Sequence, residues 1–449
     1  MSAALTRSEV LRRAWPIILA NATLPLLGLV DTAVIGNVGS LRDLGAIALS
    51  TLVFNFLYFA LGFLRMSTTG FVAQAAGTGD EPELRASIGR ALLIALAVGT
   101  LLVALKHPVA WTALQLLHGS GAVEQLSLSF IEVRLWGAPA ELATQAFRGA
   151  LIGLGKGRDL LLLELSVNLL NLALNVGFVA GLHWGATGVA LGTACAEWFG
   201  ALLFAWILTK RLRERRNDTE PLVPWPRLLH SAPLRAMLHA NADILLRTLF
   251  LLFGFAFFTD QGARFGDSVL AGNHILLQFI TFSAFFLDGF ANVAENLVGA
   301  AIGARQRGAF DAAVRRSSEL AVVSAVVLSG LLWSFGHVLI GMLTNLTDVR
   351  AAARSYLPFA ALYVLLSVGA FQLDGIFIGA TRTRAMRNAS LVASAIFLTA
   401  AVPLSRSYQN DGLWSAFILF VLARSATLSA YYPALRRSIS PVDDHVNDC

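Results

Sequence analysis

The chain is poor in cysteine and in charge. Two cysteines stand in 449 residues, Cys195 inside an apolar run and Cys449 in the last position. This number predicts neither a disulfide framework nor a cysteine metal site. Only 14% of the residues are charged, against about 25% in soluble domains. The composition therefore excludes an ordinary soluble globular protein.

Catalytic and nucleotide-binding motifs are missing as well. The sequence contains no P-loop, no His/Cys set at metal-ligand spacing and no Gly-x-Ser-x-Gly elbow. A membrane enzyme would need a clustered nucleophile or a metal set, so we predict that the protein is not an enzyme and has no cofactor. Without a nucleotide site, any transport activity would draw its energy from an ion gradient.

Long apolar segments are abundant. Hydrophobic residues make up 56% of the chain, and the mean hydropathy is +0.66. Segments of about 20 apolar residues can span a bilayer as helices. The first segment is too long for a signal peptide and lacks a cleavage pattern, so we expect it to remain as a helix. Twelve spanning helices are predicted, near 14–37, 44–76, 87–105, 126–155, 160–181, 186–209, 236–262, 268–303, 317–342, 355–381, 386–404 and 411–434.

Lysine and arginine predict the orientation. Most of them lie in the N-terminus, the even-numbered loops and the C-terminus, and the positive-inside rule then puts both termini in the cytoplasm. The net charge of +6 follows from this topology, so we predict no nucleic-acid partner. The odd-numbered loops contain Arg42, Lys106, Arg264, Arg350, Arg354 and Arg406.

The chain repeats itself at an offset of 226 residues. FRGALIGLGKGR, from Phe147, matches LDGIFIGATRTR, from Leu373. Each half has six predicted helices, an even number, so both halves enter the membrane the same way round. We predict an all-α polytopic membrane protein with two six-helix lobes related by a pseudo-twofold axis. The predicted parts are an N-lobe over 1–209, a cytoplasmic linker over 210–235 and a C-lobe over 236–449.

The first apolar segment contains a carboxylate, Asp31. A charge at membrane depth is costly unless it is neutralised, hydrated or paired. Pro25 removes a backbone hydrogen bond, and Gly28 lies on the same helical stripe, so these two residues predict a hinge. The functional interpretation is an ion- or proton-binding site on a moving helix. The alternative is a structural hydrogen bond to a neighbouring helix.

Helices five and six add polar groups at the depth of Asp31. Asn171 and Asn175 lie on one face of helix five, and Thr193 lies in helix six. One carboxylate among amide and hydroxyl oxygens can serve as a protonation site or as an oxygen cage for Na⁺. A purely structural hydrogen-bond network of the asparagines is the alternative.

A second polar set is predicted in the C-lobe. It comprises Arg247 on helix seven, Asp288 and Glu295 on helix eight, and Asp374 on helix ten. An arginine among carboxylates predicts a buried ion-pair cluster that fixes helices to one another. A direct role in coupling is the alternative.

Three segments resemble the multidrug and toxic compound extrusion (MATE) family, and most of all its DinF-like branch. They are LPLLGLVDTAVIGNVG, LAGNHILLQFITFSAFFLDGFANVAENLVGAAIGA and FQLDGIFIGATRTRAMRNA. The resemblance implies a multi-pass transporter of the bacterial inner membrane in which Asp31 is the coupling carboxylate. It also assigns the partner positions to Asn171, Asn175 and Thr193. Many members of the branch have an aspartate where this chain has Asn175, and a single carboxylate favours H⁺ over Na⁺.

The resulting hypothesis is a monomeric, H⁺-coupled antiporter, embedded in membrane lipid, that exports amphipathic or cationic compounds across the inner membrane. Two alternatives within transport remain open: Na⁺ coupling at the same four residues, and a flippase of the same superfamily for lipid-linked or cell-wall precursors. A flippase would need a basic cavity, for which Arg65, Arg148, Arg247 and Arg424 are available. A channel fits the two-lobe repeat less well, because the repeat suits alternating access.

Overall fold

The fold is that of a computed structural model, which describes residues 5–38, 40–116, 120–215 and 221–439. Within these ranges the side chains of residues 24–38, Leu41 and Leu116 are not described. The regular elements of the described chain are helical, which confirms the predicted all-α class. Pro25, Gly28 and Asp31 lie outside the described side chains, so the hinge and the position of the carboxylate stay predictions.

Within the described residues, the first half of the chain forms nine α-helices. They are α1 (Arg7–Val38), α2 (Leu41–Ala60), α3 (Phe63–Thr78), α4 (Glu81–Ala104), α5 (Lys106–Leu116), α6 (Gly121–Arg134), α7 (Ala138–Gly153), α8 (Gly157–Val176) and α9 (Gly185–Glu214). A 3₁₀ turn at Leu135–Gly137 joins α6 to α7, and a π-turn at Gly177–Gly181 follows α8.

The second half contributes seven more helices. They are α10 (Trp225–Leu228), α11 (Ser231–Ala263), α12 (Asp267–Gly303), α13 (Arg307–Leu343), α14 (Thr347–Gly379), α15 (Thr383–Ser429) and α16 (Tyr432–Arg437). Across the described ranges, nine helical stretches are long and apolar enough to cross a membrane.

Four predicted segments are divided or joined in ways that apolar windows do not show. Segment 44–76 is divided into α2 and α3 at Leu61 and Gly62. Segment 126–155 is divided into α6 and α7, with Pro139 in the first turn of α7, where the missing N–H of proline is tolerated. Segments 386–404 and 411–434 lie in one run, α15, which is kinked where Gln409 has a φ of 52°.

The chain divides into two compact units. One comprises residues 19–241, and the other comprises residues 1–18 together with 242–449. The division falls inside α1, after Ile18, and inside α11, after Asn241. The predicted lobe boundaries at 209/210 and 235/236 stay a prediction.

Part of the predicted linker region, α10, packs against α4 inside the unit of residues 19–241. Arg90 of α4 is 1% exposed and donates to Glu83 at 2.6 Å. It also donates to the main-chain oxygens of Arg227, at 2.6 Å, and Leu228, at 3.3 Å. Because a buried guanidinium needs several acceptors, these contacts fix α10 to the end of α4.

The internal repeat is visible in helix contacts within each unit. In both units two glycines, four residues apart, lie against main-chain carbonyl oxygens of a neighbouring helix, α3 in one unit and α12 in the other. The contacts are Gly149 with Arg65, Gly153 with Thr69, Gly375 with Ala291 and Gly379 with Glu295. Each glycine and each carbonyl partner in residues 19–241 has its equivalent 226 residues later in the other unit, the offset that the sequence shows. Small residues thus let backbones approach closely at equivalent places in both units.

We expect Gly375→Ala to destabilise the protein by about 1–3 kcal/mol, because its new methyl group would overlap the carbonyl of Ala291, which belongs to a rigid backbone. Gly330→Ala in α13 is the matched control. A methyl group there meets nothing within 4 Å, and the better helix propensity of alanine stabilises by up to about 1 kcal/mol. Thermal unfolding in detergent measures both. Equal melting temperatures for the two variants would contradict the proposed contact.

Candidate functional site

A buried polar network joins α8 and α9 in the unit of residues 19–241. The Asn171 Nδ2 donates to the Thr193 hydroxyl at 3.1 Å, and the Asn175 Nδ2 donates to Asn171 Oδ1 at 3.0 Å. The three side chains are 0–5% exposed. Gly192 makes room for them, since a Cβ there would overlap Asn175 Oδ1. The structure therefore brings together three of the four residues predicted to bind the coupling ion.

The fourth residue, Asp31, lies outside the described side chains. The network itself consists of uncharged amides and a hydroxyl, whose oxygens can accept hydrogen bonds from a protonated carboxyl or coordinate a hard cation. Each amide offers both an acceptor and donors, so the network can rearrange when a proton arrives. The ion-binding role of these residues stays a prediction.

Arg148 forms a buried ion-pair cluster further along the same unit. It donates to Glu164 at 2.5 and 3.1 Å and to Glu141 at 2.7 Å. Gln145 adds a hydrogen bond of 2.9 Å to Glu141. The sequence analysis named Arg148 but not Glu164, although a carboxylate inside the apolar run of helix five was a usable signal. These three charge-assisted hydrogen bonds hold the Arg148 side chain in place.

A different arrangement surrounds Glu197 of α9, which is 8% exposed. Its Oε1 lies 3.9 Å from the Arg134 Nε, a distance beyond a hydrogen bond. The Arg134 guanidinium lies over the Phe54 ring, 4.2 Å from its centroid. Among the described residues, Glu197 Oε2, the Arg134 Nε and the Tyr58 hydroxyl are buried without a hydrogen-bond partner. Glu197 falls inside the predicted segment 186–209, but the spacing of residues in the sequence does not predict these neighbours.

The C-lobe cluster is centred on Asp374 of α14. Asp374 accepts hydrogen bonds from Arg247 of α11 and, at 2.8 Å, from Arg424 of α15. All three are 6–8% exposed. Of the other predicted members, Glu295 is buried and Asp288 is half-buried. The structure thus brings Arg247 and Asp374 together, as predicted, and adds Arg424.

Sequence reasoning missed one more polar contact in this unit. Asp243 of α11 accepts hydrogen bonds from the Thr383 hydroxyl at 3.0 Å and from Arg387 at 2.7 Å. Asp243 is 5% exposed. Its position seven residues after the start of the predicted seventh helix was the available signal.

Helices of membrane-spanning length with polar clusters buried inside them define a polytopic membrane transporter. The chain belongs to the MatE family, whose model matches residues 16–176 and 244–402. Members of this family are transporters and not enzymes. The resemblance found in the sequence is confirmed, and so are the predicted twelve spanning segments in two six-helix lobes.

Two relatives match along most of their length. The DNA damage-inducible protein F of Escherichia coli is 36% identical over 419 residues, which cover 93% of this chain and 90% of that protein. The probable multidrug resistance protein NorM of Deinococcus radiodurans is 29% identical over 404 residues, covering 86% and 85%.

Two solved structures have the same fold. The MATE transporter VcmN of Vibrio cholerae, in its bent form, matches with a TM-score of 0.87 at 18% identity, covering 96% of this chain and 97% of that one. A MOP superfamily transporter from Pyrococcus furiosus matches with a TM-score of 0.84 at 17% identity, covering 97% and 96%.

Proposed function

We propose that this protein is an H⁺-coupled antiporter that exports amphipathic, often cationic compounds across the bacterial inner membrane. The observation that carries the proposal is the buried Asn171–Asn175–Thr193 network, which joins two helices of the N-lobe without a permanent charge of its own. Together with Asp31, which the sequence predicts at the same depth, this network would accept a proton from one side of the membrane and return it to the other.

Asp374, the acid at the centre of the C-lobe cluster, is less suited to bind a free cation than the N-lobe network is. Its carboxylate accepts hydrogen bonds from Arg247 and Arg424, so two fixed positive charges already surround it. A Na⁺ ion there would have to displace a guanidinium or tolerate its repulsion. This charge balance favours coupling in the N-lobe and a structural role for the Asp374 cluster.

The same contacts weaken the flippase alternative. A flippase for phosphorylated precursors requires arginines with free donors in its cavity. Arg148 is bonded to two glutamates, and Arg247 and Arg424 share an aspartate. Three of the four arginines proposed for a basic cavity therefore have carboxylate partners.

In the proposed cycle, protonation of Asp31 from the outside changes the shape of helix α1 at Pro25 and Gly28. Substrate and proton compete for the N-lobe, so proton binding releases the compound outward and favours return to the inward-facing state. One site with two competing occupants is the simplest arrangement that avoids a proton leak. From the distribution of lysine and arginine we also infer that both termini lie in the cytoplasm, and we propose that the transporter is a monomer.

Export of ethidium from proteoliposomes tests the proposal, with H⁺ and Na⁺ gradients imposed separately. We expect an inward H⁺ gradient to drive ethidium movement and an inward Na⁺ gradient at constant pH to have no effect. Empty liposomes correct for passive distribution of the dye. Transport driven by Na⁺ alone would overturn the assignment of the ion, and movement without either gradient would overturn antiport.

A further inference from the structure

We propose that Glu197 is a second proton-binding carboxylate of the N-lobe and exchanges a proton during each transport cycle. The inference deepens the H⁺-coupled function proposed above and rests on it. It assigns a role to a buried acid that the Asp31 site does not include.

Glu197 differs from Glu164 in its hydrogen-bond partners. Both glutamates lie in membrane-spanning helices, and both are buried, at 3% exposure for Glu164 and 8% for Glu197. Glu164 accepts two hydrogen bonds from Arg148, at 2.5 and 3.1 Å. Glu197 has one ion-pair contact at 3.9 Å, and its Oε2 has no hydrogen-bond partner in the described part of the chain. An ionised carboxylate buried in this way is poorly compensated, and binding a proton relieves that cost.

Glu197 also lies on the same helix face as a member of the polar network. Glu197 follows Thr193 by four residues on α9, so the two side chains lie on the same face, one turn apart. Thr193 belongs to the network with Asn171 and Asn175. Glu197 is therefore a titratable side chain on the helix face that also carries a member of the network. It lies about 18 Å from the first residue of α9 by helical rise.

Charges of both signs surround Glu197. Arg134 of α6 places a positive charge 3.9 Å from it, and Glu141 and Arg148 of α7, which pair with each other at 2.7 Å, add one charge of each sign. The Arg134 guanidinium also lies over the Tyr58 ring of α2, 5.9 Å from its centroid. Because these influences act in opposite directions, a small movement of any one of them changes the affinity of Glu197 for a proton.

The neighbours of Glu197 can move, because the helices that carry them end close to it. Arg134 is the last residue of α6, and the 3₁₀ turn at Leu135–Gly137 follows it. Gly137 makes room for the carboxylate, because a Cβ there would overlap Glu197 Oε2. Tyr58 lies in the last turn of α2, which ends at Ala60 and is capped by Leu61. Broken helices inside a membrane are typical of sites where transporters bind and release ions.

The test counts the protons that are exchanged when ethidium binds to the purified, full-length protein. Calorimetry in buffers of different ionisation enthalpy, repeated across a pH series, gives this number. We expect Glu197→Gln to lower the exchange by about one proton over part of the series and Glu197→Asp to restore it. Glu132→Gln is the matched control, because Glu132 pairs with His107 outside this cluster and its loss leaves the count unchanged.

Asp31→Asn is measured in parallel so that the two proposals can fail separately. If Asp31→Asn lowers the count and Glu197→Gln leaves it at the wild-type value across the pH series, the role of Glu197 is refuted and the proposed function stands. If only Glu197→Gln lowers the count, the role of Asp31 is refuted. A wild-type protein that exchanges no proton refutes both. Tyr58→Phe keeps the ring and removes the hydroxyl, and we expect it to shift the pH dependence without changing the total count.

Discussion

Replacing Asp31 by asparagine is expected to reduce H⁺-driven ethidium export to the level of empty liposomes. Asparagine has nearly the same size as aspartate and keeps one oxygen acceptor, but it cannot bind and release a proton. If Asp31 is the coupling group, the variant can still bind the dye but cannot exchange it for H⁺. Initial rates in proteoliposomes with an imposed pH gradient measure the effect.

Asp267→Asn is the matched control for this experiment. Asp267 lies exposed in the first turn of α12, and the same chemical change there should leave the export rate near that of the wild type. Both variants must reach the membrane in equal amounts, which fluorescence-detected gel filtration verifies. Gradient-dependent export by Asp31→Asn at the wild-type rate would refute the proposed coupling site.

Replacing Asp374 by asparagine is expected to destabilise the protein by about 3–5 kcal/mol, the cost of removing one partner from a buried ion pair. Arg247 and Arg424 would then remain buried with their common carboxylate partner removed, and they would repel each other. Thermal or denaturant unfolding in detergent micelles measures the loss. The expected phenotype is low yield of folded protein rather than altered ion specificity.

Asp311→Asn provides the comparison on the surface. Asp311 also accepts two hydrogen bonds from an arginine, Arg436, both at 2.7 Å. Its side chain is 35% exposed, and that of Arg436 is 43% exposed. A pair in this environment contributes about 0–1 kcal/mol. A similar loss of stability in both variants, or altered ion coupling in a stable Asp374→Asn protein, would contradict the structural role of Asp374.

Several features could be predicted from the sequence because they depend on distance along the chain alone. Apolar length determines where helices lie, and the offset of 226 predicted that Gly149 and Gly375 occupy equivalent positions. The spacing of Asn171 and Asn175 placed both on one face of a helix. In each case the geometry of a single helix, or the symmetry of the two halves, was sufficient.

The tertiary structure decided which polar groups are satisfied. Sequence spacing did not predict that Glu164 binds Arg148 or that Arg424 joins Asp374 from fifty positions further along the chain. It also did not predict that Glu197 Oε2 faces Gly137 with no donor from the residues that the structure describes. Helical periodicity gives the face on which a side chain lies but not the rotation and offset of one helix against its neighbour. In a membrane these are set by close packing and interhelical hydrogen bonds, because lipid is as apolar as the helix surfaces and provides little hydrophobic preference for one rotation over another.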